Sequence, residues 1–372
     1  MAQIVLKASK GYSQLDAYLE KINTKSIFLV CGKSFRLLNI AKYFEDITER
    51  LGIDVIQFSD FQPNPLYESV EKAVKLYKDS KCDSIVAVGG GSALDVAKCV
   101  KLYSNMDDSK NYLNQNIIEN DIAILAIPTT AGTGSEATKF SVIYYEGEKQ
   151  SVSHDSCIPN AVYFDASTLK TLPEYQKKST MLDALCHSIE SFWSVNSTEE
   201  SKRYSSEAIR LILSNYEKYL ENEISASEQM FLAANYAGKA INITQTTAGH
   251  AMCYKLTSLY GISHGHAAAL CVSKLWPFMV NNISKCVDVR GKLYLEQVFI
   301  NLAKIMKCET SIEAVNKFES LLTTLCIDNP KVINSNDFEI LKNSVNPIRL
   351  KNNPVKLIME DIDCLYHQIL EK

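Results

Sequence analysis

The first part of the chain alternates two hydrophobic patterns. Four short runs, KSIFLVCG (25–32), DVIQFS (54–59), DSIVAVGGGS (83–92) and DIAILAIPTT (121–130), are rich in apolar and β-branched residues. Three of them are almost continuously apolar, as strands buried on both faces of a parallel sheet are. Between them, FRLLNIAKYFEDITERLG (35–52) and LYESVEKAVKLYKDS (66–80) repeat apolar residues at helical spacing, with Gly52 placed to close the first helix. This alternation predicts a Rossmann-like α/β domain. Beyond residue 174 the strand signals fade, and YQKKSTMLDALCHSIESFWSV, STEESKRYSSEAIRLILSNYEKYLE and ASEQMFLAANYAGKAINI read as long helices. An all-α second domain is expected, joined at LKTLPEY (169–175), so that the domains are residues 1–174 and 175–372.

Two of the strand runs end in glycine-rich loops. AVGGGSALDVAK sets Gly89, Gly90 and Gly91 between a strand and a helix, with Ser92 and Asp95 spaced as a capping box. Glycines there let backbone N–H groups approach a phosphate at the positive end of a helix. The next run leads into IPTTAGTGSEAT, where Thr129, Thr130, Thr133 and Ser135 surround Gly132 and Gly134. Two such loops at the C-terminal ends of successive strands mark the edge at which open α/β sheets bind ligands.

Composition narrows the class without deciding it. Residues are 46% hydrophobic and 22% charged, and 39 basic against 43 acidic side chains leave a net charge of −4. No field for nucleic acid or an anionic membrane follows from that balance. No stretch has the ~18 apolar residues of a membrane span, and MAQIVLKASKGYSQLD lacks the apolar core of a secretory signal. Eleven cysteines without a CxxC pair suit reduced, buried thiols, and a cytoplasmic location is expected.

Histidine is scarce and clustered. Of six in the chain, three lie in TTAGHAMCYKLTSLYGISHGHAAAL: His250, His264 and His266. Upstream, MLDALCHSIE sets Asp183 and His187 four residues apart, on one face of a helix. His250 falls in a second apolar helix ending near Gly261, and His264 follows Ser263 at the start of a third. One carboxylate and three imidazoles could close a four-ligand site suited to Zn²⁺ or Fe²⁺. His266, two residues past His264, faces elsewhere on a helix and reads as a pocket histidine. His367 carries no such context, and His154 is at most a lining residue.

Together GGGSALDVAK, PTTAGTGSEAT, DALCHSIES and GHAM…SHGHA resemble the iron-containing (group III) alcohol dehydrogenases, in order, from about residue 25 to 280. The resemblance implies a dinucleotide-binding α/β domain and a helical metal domain, with the active site in the cleft between them. It implies metal ligation (Fe²⁺ or Zn²⁺) by Asp183, His187, His250 and His264. It puts Gly90, Gly91, Ser92, Asp95, Thr129, Thr130, Thr133 and Ser135 around a nicotinamide cofactor, with Lys149 near the ribose. Gly32 and Ser34, in VCGKSFR, join that set. The turn has no acid to hold ribose hydroxyls, and its Lys33, Ser34 and Arg36 could take a 2′-phosphate. NADP(H) is therefore favoured over NAD(H).

Two positions depart from the family pattern. Where many members have a second histidine, four residues after His250, this chain has Tyr254. Where most have an apolar residue, it has His266. Three segments look most like the phosphonoacetaldehyde reductases: GHAMCYKLTSLYGISHGHAAAL, SEATKFSVIYYEGEKQSVSH and DALCHSIESFWSVNSTEES. That implies reduction of phosphonoacetaldehyde to 2-hydroxyethylphosphonate. Lys139, with His266 and Lys255 behind it, is the candidate for the phosphonate, and His266 or Tyr254 the candidate proton carrier. Other small aldehydes such as lactaldehyde or butyraldehyde, a glycerol-phosphate dehydrogenase or lyase fold-mate, and a non-catalytic metal- and nucleotide-binding role are the alternatives. A small aldehyde is the expected partner, with no nucleic acid or membrane, in a homodimer.

Overall fold

A computed structural model describes residues 3–371. The chain divides into two compact units, Met1–Leu172 with Asn222–Phe231, and Pro173–Glu221 with Leu232–Lys372. Phe231 stacks on Phe164, ring centroids 5.2 Å apart, which ties the stray segment to the first unit. A single cut at 174/175 has no place for that segment.

Among the described residues the first unit contains nine strands: β1 (Ile4–Lys7), β2 (Ser9–Tyr12), β3 (Ser26–Cys31), β4 (Asp54–Phe58), β5 (Ser84–Gly89), β6 (Ala123–Pro128), β7 (Phe140–Tyr145), β8 (Glu148–Ser153) and β9 (Ala161–Phe164). Its helices are α1 (Ser13–Lys21), α2 (Asn39–Leu51), α3 (Tyr67–Ser80) and α4 (Gly91–Tyr103). Six strands form a parallel sheet in the order β1-β9-β6-β5-β3-β4. Alternate residues explain the continuous apolar runs. Leu29, Cys31, Val86, Val88, Leu125 and Ile127 join the core that α1 and α2 cover. Phe28 points the other way, edge-on to Tyr77 of α3 at 5.4 Å.

The four strongest runs are strands, and Gly52 ends α2 with φ 67°. Residues 33–37 form a 3₁₀ turn, and α2 begins only at Asn39. β1 and β9 are four-residue strands that left little pattern to read. β7 and β8 pair as a hairpin through Glu146 (φ 50°) and Gly147 (φ 79°), the backbone of a type I′ turn. The chain leaves β3 for β4 on one side, then returns to β5 on the other, so strand order reverses between β3 and β5. Ligands of open sheets sit at such a switch point, beyond the C-terminal strand ends.

Among the described residues the second unit is helical: α5 (Glu174–Trp193), α6 (Glu199–Leu220), α7 (Ile224–Thr244, whose first turns group with the first unit), α8 (Ala248–Tyr260), α9 (His264–Asn281), α10 (Lys292–Ile305), α11 (Ser311–Thr324), α12 (Asp337–Asn343), α13 (Pro347–Leu350) and α14 (Met359–Ile369). The helix α5 packs on α6 and α9, and α8 packs on α9. Arg290 fastens the C-terminal end of α5, donating to the carbonyls of Ser194, Val195 and Ser197 at 2.8–3.1 Å. Among the described residues no helix is long and apolar enough to cross a membrane.

Candidate active site

In the first unit the two glycine loops lie side by side. A Cβ on Gly90 would meet the Thr130 side chain at 3.3 Å, and one on Gly91 would meet Thr133 at 3.4 Å. A Cβ at Gly90 would need the Thr130 side chain to give by a few tenths of an ångström, whereas at Gly91 it would sit at ordinary contact distance. Backbone continues the link, with Thr129 N–H donating to Gly89 O at 3.0 Å.

The expected capping box does not form. Gly90 is the N-cap of α4 and no side chain caps it. Ser92 instead accepts the N–H of Asn64 at 3.3 Å, and Asp95 accepts the Ser135 hydroxyl at 3.2 Å. Burial raises the Asp95 carboxyl to about 6, against the pull of Lys98, Ser135 and, further off, Lys149 on β8. Lys98 is wholly buried and donates to Ser135 Oγ (3.0 Å), Thr138 O (2.9 Å) and Phe140 O (2.7 Å). It pins the second loop from beneath, a role the sequence reading missed although it is the lysine of ALDVAK. At the third strand end, Gly32, Lys33, Arg36, Gln57 and Ser59 border a cavity of about 500 Å³. Ser34 lies in the same turn.

In the second unit α5, α8 and α9 bring Asp183, His187, His250 and His264 together. Gly265 explains how. A Cβ there would lie 2.0 Å from Ser179 O and 2.9 Å from Asp183 N, so α9 and α5 touch backbone to backbone. Donor atoms of Asp183, His187 and His250 all lie within 4.8 Å of one another. His250 Nε2 is 3.4 Å from Asp183 Oδ1, and His264 Nε2 is 3.8 Å from the same oxygen. Tetrahedral ligands on bonds of about 2.1 Å stand roughly 3.4 Å apart, so the spacing fits a small divalent cation. Asp183, His187 and His250 are buried, while the His264 side chain is 38% exposed and forms the open side.

Charge in the pocket also suits a cation. Burial alone would raise the Asp183 carboxyl, but His187, His264 and His250 hold it well below the usual carboxylate range. Glu190, fully buried on α5, is likewise held low by His250. Burial opposes charge on His250, yet Glu190 and Asp183 raise it to about 9. Among the described residues neither carboxylate has a lysine or arginine partner.

Glu190 is the functional residue that the sequence reading missed. Its Oε2 meets His250 Nδ1, and its Oε1 accepts Thr247 Oγ1 (2.6 Å), Thr247 N–H (3.1 Å) and His250 N–H (3.3 Å). It thereby turns Nε2 of His250 toward Asp183. The signal was present: 183, 187 and 190 keep helical spacing. Replacing Glu190 with glutamine is expected to weaken metal binding about 10–100-fold, measured by competition with a chelator. An unchanged affinity would remove Glu190 from this role.

The remaining candidates separate. His266 is buried: Nδ1 accepts the Tyr175 hydroxyl at 2.9 Å and Nε2 donates to Asp328 O at 2.8 Å. Burial pushes its pKa down, and with both nitrogens engaged it serves the packing of α9. Tyr254 stacks on His264, ring centroids 5.5 Å apart, and burial keeps its phenol protonated. Lys139 lies in the first unit, ion-paired with Asp155 at 3.1 Å. Ser263 precedes α9, but its hydroxyl accepts from Gln176 at 3.2 Å and does not cap the helix. Seven of the eleven cysteines are buried.

Residues 3–166 match the family model for iron-containing alcohol dehydrogenase, and residues 177–370 match that for the C-terminal part of the Fe-containing alcohol dehydrogenase family. The chain belongs to the iron-containing alcohol dehydrogenase family. Long-chain-alcohol dehydrogenase 1 of Geobacillus thermodenitrificans is 28% identical over 95% of this chain and 91% of its own. Phosphonoacetaldehyde reductase of Streptomyces viridochromogenes is 27% identical over 79% of this chain and 78% of its own. A crystal structure of an iron-containing alcohol dehydrogenase superposes with a TM-score of 0.83 at 27% identity, covering 100% of this chain and 98% of that one. The family and its fold are those expected from the four motifs.

Proposed function

We infer that this chain is a metal-dependent, NAD(P)H-linked reductase of small aldehydes, acting on phosphonoacetaldehyde to give 2-hydroxyethylphosphonate. The observation that carries the chemistry is the buried carboxylate ringed by three imidazoles, braced by a second carboxylate. Asp183, His187, His250 and His264 would hold a divalent cation, Fe²⁺ or Zn²⁺, which when bound supplies Lewis acidity to a carbonyl oxygen. Gly90, Gly91, Ser92, Thr129, Thr130, Thr133 and Ser135 would seat the nicotinamide nucleotide, which supplies the hydride, with Asp95 and Lys98 shaping the loops and Lys149 nearby.

The chain's own residues do the positioning. Glu190 fixes the His250 tautomer and ring direction. Tyr254 keeps its proton at the phenol oxygen, its ring stacked on His264, the exposed ligand, and is our candidate donor to the alkoxide formed from the aldehyde. His266 is left out of proton transfer because both its nitrogens are committed. The phosphonate reading rests on three segment likenesses and is supported by the Streptomyces relative. Its test is initial-rate assay of metal-loaded protein on phosphonoacetaldehyde, butyraldehyde and lactaldehyde. A clear preference for the first is expected, and equal rates would return the enzyme to neutral aldehydes.

Cofactor choice follows from the turn after β3. Lys33 and Arg36 offer two cations where NAD sites place an acid, so NADPH is the expected donor. Charge-assisted hydrogen bonds are worth about 1.5–3 kcal/mol. Exchanging both residues for serine should therefore move the NADPH-to-NADH ratio of kcat/KM about 10–100-fold toward NADH. A ratio that does not move would place the 2′-phosphate elsewhere.

A further inference from the structure

Arg349 sits in α13, a single turn packed against α8. Asn346 caps that turn, accepting the N–H groups of Ile348 (2.9 Å) and Arg349 (3.4 Å). The guanidinium donates through Nη1 to Gln245 Oε1 at 2.7 Å. Gln245 is itself held in the left-handed region, φ 58°, two residues before the Thr247 that grips Glu190. Just beyond α13, Asn352 donates to Thr246 O at 3.0 Å and accepts Val195 N–H at 3.1 Å. The turn that carries Arg349 is therefore fastened to the same backbone that places His250.

Of the six arginines, Arg50, Arg210 and Arg290 are paired with Asp16, Glu207 and Asp288, while among the described residues Arg36, Arg203 and Arg349 are in no ion pair. Arg349 is half-buried, and among the described residues it has no carboxylate partner, only the neutral amide of Gln245. A guanidinium carries five N–H donors in a planar fork, and most of these remain to be used. The helix that α13 packs against, α8, also carries His250 and Tyr254. Tyr254 in turn stacks on His264. The arrangement is a fixed cation with no carboxylate partner among the described residues, fastened to the segment that leads into the helix carrying His250. Of the two candidate lysines, Lys139 is paired with Asp155, and Lys255 lies about 140° round α8 from His250.

We propose that Arg349 binds the anionic group of the substrate, gripping the phosphonate oxygens through its guanidinium fork while the carbonyl end lies toward the histidine cluster. This rests on the reductase reading above and gives that reading its specificity residue. A planar fork matches a tetrahedral oxyanion bidentately, whereas lysine offers only a point charge.

The test compares wild type, Arg349→Lys and Arg349→Met. Two quantities are measured: the kcat/KM ratio of phosphonoacetaldehyde to butyraldehyde, and calorimetric binding of 2-hydroxyethylphosphonate. In Arg349→Met the ratio is expected to fall about 10–100-fold, mainly through KM for the phosphonate, and product binding to weaken by a similar factor. Arg349→Lys should recover part of both. A wild type that prefers the phosphonate, with a ratio and product affinity unmoved in both variants, overturns the proposal and leaves the substrate reading standing. A wild type without that preference overturns the substrate reading, and the proposal with it.

Discussion

Replacing Asp183 with asparagine is expected to strip the metal and lower kcat/KM for aldehyde reduction by at least about a thousandfold. Asp183 is the one ligand within reach of all three imidazoles, with separations of 3.4, 3.8 and 4.0 Å to His250, His264 and His187. The amide keeps the volume but removes the charge, and can turn an N–H toward the donors the metal would need. Lewis-acid stabilisation of the developing alkoxide is worth several kcal/mol, and each ~1.4 kcal/mol is a factor of ten in rate. Metal content and initial rates, measured on protein with a normal circular dichroism spectrum, check this. Full metal retention with a rate within about threefold of wild type would refute the ligand set.

Adding one methyl group at Gly265 should damage the protein nearly as much, by another route. The new Cβ of Gly265→Ala would lie 2.0 Å from Ser179 O and 2.8 Å from Asp183 Cβ. Main chain cannot swing aside as a side-chain tip can, so α5 and α9 must separate. Overpacking of this kind costs about 1–3 kcal/mol, and more where backbone is the obstacle. A loss of about 3 kcal/mol corresponds to a fall in Tm of roughly 6–12 °C. Because the strain falls on Asp183 itself, metal affinity should fall as well. Thermal melts with and without metal measure both effects. A variant that melts and binds metal like wild type would show that the helices are not in contact at this point.

The carboxylate–histidine cluster was partly legible because half of it is encoded locally. Asp183 and His187 share a helix face by spacing, and two of the chain's few histidines stand in later helical segments. Glu190 was legible on the same grounds and was overlooked. The errors have a common cause in contacts far apart along the chain. Helical periodicity says that His266 turns away from His264, but not that Tyr175 and the carbonyl of Asp328 would claim its two nitrogens. Ser92 and Asp95 have capping-box spacing, yet Asn64 and Ser135 take those side chains first. Lys139 follows a phosphate loop, and spacing alone does not show that Asp155, sixteen residues on, pairs with it. The strands show the same division. Runs buried on both faces announce themselves, while the short β1 and β9 depend on neighbours brought close only by the fold.

The most direct measurement of the central claim is NADPH consumption with an aldehyde by protein stripped with a chelator, then reconstituted anaerobically with Fe²⁺ or Zn²⁺. No turnover is expected in the stripped protein, with recovery on adding one of the two ions and about one bound ion per chain. Undiminished turnover after complete metal removal would contradict it.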